Sequence, residues 1–166
     1  MARKAFYSFH YIPDNWRAGQ VRGMGMIEGN QPVSDNDWET VTRGGDAAIG
    51  RWIATQMSGT SCTIVLIGNA TAGRKWIDYE LTKAWNDGKG LVGVHVHGLL
   101  DRHSQQTTIG SNPFTGFTVG PNKTPLQNIV RSHVPPYWRS TDVYAYIKSN
   151  LAQWVEEAIT IRNQWG

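Results

Sequence analysis

The stretch "RKWIDYELTKAW", residues 74–85, sets one carboxylate, Glu80, among aromatic neighbours, with Trp76 four positions before it and Tyr79 beside it. At helical spacing Ile77, Leu81, Ala84 and Trp85 make an apolar stripe. Glu80 falls about 60° to one side of that stripe, with Trp76 one turn earlier on the same side. A carboxylate at the margin of a core can act as acid, base or counter-charge to a cation. The alternative role for the same residue is a boundary glutamate paired with Lys83 or Arg74.

The other reactive groups support less. His95, His97 and His103 form a cluster with only Asp101 nearby, too few ligands at suitable spacing, so no metal is expected. Cys62 lies inside the apolar run "CTIVLIG" rather than at the start of a helix, which reads as a buried thiol and not a nucleophile. No G-x-S-x-G elbow and no P-loop occur. "RGMGMIEG" begins a G-x-G at Gly23 and Gly25, but Glu28 stands where close helix packing needs a small residue.

The elements that must position Glu80 are legible from periodicity. "KAFYSFHY" is a short aromatic strand near residues 5–9, and the next segment is a helix that Asp14 would cap. A second helix follows Asp46, with Ile49, Trp52, Ile53 and Met57 on one side. Strands are expected near 62–67 and 91–96, both continuously apolar as in a sheet covered on two faces. Val143, Ile147, Leu151, Trp154, Val155 and Ala158 mark a long final helix. Between Asp101 and Arg139 the pattern dissolves into Ser, Thr, Gly, Asn and Pro, with a weak strand expected near "LQNIV" and the segment lying over one end of the sheet. Strands alternating with helices predict an α/β domain with a central parallel sheet. Glu80 would then follow the loop "GNATAGR" at the carboxyl end of a central strand, where open α/β sheets bind ligands.

With 166 residues the chain suits a single domain, 1–166, since domains most often run to about 100–150 residues. The net charge of +3 is spread along the chain without a basic run, which argues against nucleic acid and leaves an anionic small molecule open. The N-terminus lacks the apolar core of a signal peptide, and no stretch approaches the roughly 18 apolar residues of a membrane span. One cysteine in an apolar run fits a reducing compartment, so a cytoplasmic location without membrane contact is expected.

An aromatic first strand ending in "SFHY", then "CTIVLIG", then Trp76-x-x-x-Glu80 resembles a TIR domain. More narrowly, "FYSFHY", Arg17 in the first helix, "VLIG", W-x-x-Y-E and "NPF" resemble the TIR-like family of stand-alone bacterial proteins that serves Thoeris anti-phage defence. The resemblance runs from about Lys4 to Phe114. It implies a flavodoxin-like three-layer sandwich and, for many members, cleavage of the nicotinamide glycosidic bond of NAD through the helix glutamate. NAD would be substrate, no resident cofactor is implied, and a cyclic or conjugated ADP-ribose would pass as a diffusible signal to a separate effector protein. Self-association is implied too. Two other activities suit the same architecture: a non-enzymatic adaptor, and a nucleoside deoxyribosyltransferase with its Glu at the same crevice.

Breaking the bond between ribose C1 and the pyridinium nitrogen develops cationic character on the sugar, and nicotinamide leaves as a neutral ring. One ionised carboxylate suffices to stabilise that charge, which assigns Glu80 as catalytic. Trp76, Phe9 and Tyr11 are the nearest rings for stacking on a base, with core packing the alternative for Phe9. His10 at the strand's mouth would contact ribose or phosphate unless it faces solvent, and Arg17 would meet the pyrophosphate unless it forms a surface salt bridge. Asn112 joins the substrate-binding set through "NPF", with turn initiation its simpler role.

Overall fold

The structure, a computed structural model, describes residues 3–29 and 40–165. Its elements run β1 (Lys4–Ser8), α1 (Tyr11–Gly23), β2 (Glu28–Gly29), α2 (Gly45–Met57), β3 (Cys62–Ile67), α3 (Lys75–Asn86) and β4 (Gly90–His95). A hairpin of β5 (Thr118–Val119) and β6 (Thr124–Pro125), an edge strand β7 (Ser132–His133) and α4 (Ser140–Gln164) complete the chain. Five strands form one sheet in the order β2-β1-β3-β4-β7, every neighbouring pair parallel.

The two central strands are buried at every position because helices cover both faces. Alternation then divides their side chains. Ile64 and Leu66 of β3, with Val92 and Val94 of β4, meet α1 and α4 through Ala18, Val21, Ile147 and Leu151. Val65, Ile67 and Leu91 face the other way, onto Ile49, Ile53 and Met57 of α2 and Ile77, Leu81 and Ala84 of α3. This is the three-layer α/β architecture that the periodicity predicts. The strand order also makes a topological switch, because the chain leaves β1 for β2 on one side and returns to β3 on the other. In open α/β sheets the loops after two such strands diverge, and ligands bind outside the carboxyl ends of the strands at that point.

Three local expectations are corrected. Helix α1 starts at Tyr11 with His10 as its N-cap, and Asp14 lies within its first turn, where its carboxylate is held by Arg17 rather than by backbone N–H groups. Gly44 precedes α2, so Asp46 is a first-turn residue, ion-paired with Lys75, and not the cap. "LQNIV" begins as a 3-10 turn over Leu126–Asn128, and the strand comes a few residues later at β7.

The 101–139 segment carries more structure than its composition suggests. Asp101 Oδ1 accepts the N–H groups of His103 and Gln105, Asn112 Oδ1 accepts that of Phe114, and the Phe114 ring is fully buried. Gly110 rests on the backbone at Gly68, where a Cβ on Gly110 would run into the Gly68 carbonyl. The segment therefore straps the carboxyl end of β3. Among the described residues no helix is long and apolar enough to cross a membrane.

Candidate active site

The last residue of β1 and the second turn of α3 meet at the switch. Ser8 shares the face of Phe6, two positions earlier, and so points toward the α2–α3 layer. There its Oγ donates to Glu80 Oε1 at 3.0 Å, an approach between residues 72 positions apart in sequence. Both side chains are buried; Glu80 keeps 7% of its surface exposed. It thus sits deeper than the core margin at which its helical position puts it, because the α3 turn bearing it lies against the end of β1.

The boundary-pair alternative is not realised. Lys83 holds Asp87 at 2.9 Å, and Arg74 Nε donates to the Ala70 carbonyl at 3.2 Å. With no cation among the described residues paired to it, Glu80 feels chiefly the loss of water, which disfavours its charged form and pushes its pKa up to about 8. The Ser8 hydroxyl works the other way and holds the carboxylate down. Such a group carries its proton at neutral pH until a positive charge arrives beside it.

The remaining predicted residues divide. His10 stays near the crevice, half-buried at the start of α1; burial, then the charge of Arg74, lowers its pKa and keeps it neutral. Phe9 takes the core alternative, packing on the α1–α4 side, stacked on Tyr11 at 6.1 Å and with the Arg22 guanidinium 5.3 Å from its ring. Tyr11 is half-buried beside it. Trp76 meets Tyr79 edge-on at 5.2 Å and lines an open groove of about 1110 Å³ between α2 and α3, a groove whose lining does not include Glu80. The Trp76–Glu80 spacing is helical, but the two side chains serve different surfaces.

Arg17 is neither a surface ion pair nor an open anion ligand. It is 2% exposed, and its donors go to the Leu99 carbonyl at 2.9 Å, Asp14 Oδ1 at 2.9 Å, the Pro13 carbonyl at 3.2 Å and the Gln105 carbonyl at 3.0 Å. It ties α1 to the strap. Asn112 does what its simpler role says, closing the turn before Phe114 at 2.8 Å. His95 and His97 meet edge-on at 6.0 Å at the end of β4, and burial, then the charge of His97, lowers the His95 pKa to about 4. Among the described residues no three His, Cys, Asp or Glu side chains gather as a metal set.

Sequence reasoning missed Ser8. A small polar residue closing an otherwise apolar strand, on the parity of Phe6, was the available signal.

A family model for the TIR-like domain of Thoeris protein ThsB matches residues 6–101, more than half of the chain, from within β1 to past the end of β4. The chain belongs to this family. The TIR-like domain is also 33% identical over 119 residues to a protein of Bacillus cereus (strain MSX-D12) named "Putative cyclic ADP-D-ribose synthase ThsB1". That alignment covers 69% of this chain and 62% of the relative's length.

Proposed function

We propose that this TIR-like domain consumes NAD, cleaving the bond between nicotinamide and ribose and delivering a cyclic or conjugated ADP-ribose as a signal to a separate effector in anti-phage defence. The observation that carries the reading is Glu80: a buried carboxyl that, among the described residues, has one hydroxyl donor and no cation, beside the carboxyl end of β1. The Bacillus cereus relative, named for the synthesis of cyclic ADP-D-ribose, supports a cyclic product.

The chemistry follows from that environment. A pyridinium ring bound near Glu80 supplies the missing positive charge, which lowers the carboxyl pKa and drives off its proton. As the C1–N bond breaks, its electron pair neutralises the ring nitrogen and the positive charge passes to the ribose. The carboxylate stabilises that charge where water is excluded, and nicotinamide departs neutral. A nucleophile then bonds to C1 and releases its proton. Water gives ADP-ribose; a group on the adenosine half closes a ring; a third molecule gives a conjugate.

Incubating the protein with NAD and following free nicotinamide, with mass spectrometry of the second product, tests the reading. A product isomeric with a cyclised ADP-ribose is expected. Absence of nicotinamide release at concentrations that favour self-association would support an adaptor, and base exchange between deoxynucleosides would support a deoxyribosyltransferase.

A further inference from the structure

We propose that Ser8 is a positioning residue for Glu80: its hydroxyl fixes Oε1 and leaves Oε2 as the carboxylate oxygen offered to the sugar. The inference rests on the NAD-cleaving role given to Glu80 above. Ser8 is fully buried and its backbone is locked in the sheet, paired in register with Val65, so the hydroxyl is held rather than swinging in solvent. Its bond to Oε1 is 3.0 Å long, and no described residue hydrogen-bonds Oε2. A preset donor of this kind orients the carboxylate before substrate binds, so no reorganisation is needed as charge develops.

The donor also biases the titration, because a hydroxyl donating to a carboxylate favours the ionised form. Among the described residues, Asp78 and Tyr79 on the same helix included, no other side chain hydrogen-bonds or ion-pairs with Glu80. On α3, Lys83 is engaged with Asp87, Lys75 with Asp46, and Arg74 with the Ala70 carbonyl. After β1, His10 is held neutral. From the central strands the titratable side chains are Cys62, at the opposite end of β3, and His95, neutral at the end of β4. Burial and Ser8 are the influences on the Glu80 carboxyl.

Ser8→Ala removes one oxygen atom from a buried site, and Ser8→Thr restores a hydroxyl. The carboxyl-carbon NMR signal of Glu80, followed against pH in wild type and both variants, reads the coupling without reference to activity. The midpoint in Ser8→Ala should rise by about one pH unit, corresponding to a roughly tenfold change in proton affinity. In parallel, Ser8→Ala should lose about tenfold in kcat for nicotinamide release at pH 7 with KM little changed, and recover part of that loss as pH is raised. Ser8→Thr should return both readings toward wild type. Identical midpoints and identical pH–rate profiles in wild type and Ser8→Ala would overturn the inference. If wild type releases no nicotinamide while the midpoints still differ, the coupling stands and the NAD-cleaving reading fails.

Discussion

Arg17 and Asp14 form an ion pair 2.9 Å long, three residues apart on one helix, with both side chains withdrawn from solvent. The second carboxylate oxygen of Asp14 is buried without a partner and lies where a Cβ on Gly68 would be, so α1, the β3 exit loop and the strap meet at this pair. Removing one member strands the other charge in the interior. Arg17→Met should cost about 3–5 kcal/mol in urea unfolding, with Asp14→Asn added on top recovering part of the loss. Were Arg17 a pyrophosphate ligand instead, stability would hold and only the KM for NAD would rise.

Glu80 gives stability a pH dependence whose sign is fixed. Its folded-state pKa, about 8, is above the ordinary value of 4.5, so the folded protein binds the extra proton between those limits. The favourable contribution is complete below pH 4.5 and is lost as pH rises through 8. Compared with Glu80→Gln, which carries no proton to lose, wild type should be equally stable near pH 4.5 and weaker above pH 8, by on the order of 3–5 kcal/mol at the limit. Parallel denaturant melts of the two proteins from pH 5 to 9 check this, and parallel curves without divergence would place Glu80 in a wetter site.

The strap depends on a close backbone approach at Gly110. Gly110→Val drives a side chain into the Gly68 carbonyl and should cost about 1–3 kcal/mol through displacement of the loops, with faster proteolytic cleavage in 101–117. Gly19 is the internal control. It lies inside α1 with open space around its Cβ position, so Gly19→Ala should gain about 0.5–1 kcal/mol. A strap variant as stable as the control would mean that the loop is not pinned there.

Periodicity carried the layered architecture because it reports burial directly: continuous apolar runs marked β3 and β4, and the stripe of α4 proved buried at every residue that defines it. What stayed hidden depended on contacts distant in sequence. The burial of Arg17 is set by carbonyls at Leu99 and Gln105, which no local pattern announces. The order within 101–139 rests on side chains capping turns, as Asp101 and Asn112 do, in a composition that otherwise reads as loop. At the site, the helical wheel placed Trp76 and Glu80 together, yet Trp76 turned to the α2–α3 groove while Glu80 turned to Ser8. A wheel gives the direction of a side chain and not which neighbouring element it will meet.

Nicotinamide release by Glu80→Gln, measured beside wild type at the same protein concentration and with melting curves on the same samples, shows whether the Glu80 charge drives the cleavage. Glutamine keeps the size and the hydrogen-bonding capacity of the side chain and removes only the charge. The expected result is a fold intact at neutral pH and a rate lower by roughly 100- to 1,000-fold, the usual cost of losing one preset electrostatic contact to a charge that develops in the transition state. A Glu80→Gln protein that releases nicotinamide at the wild-type rate would contradict the catalytic role assigned to Glu80.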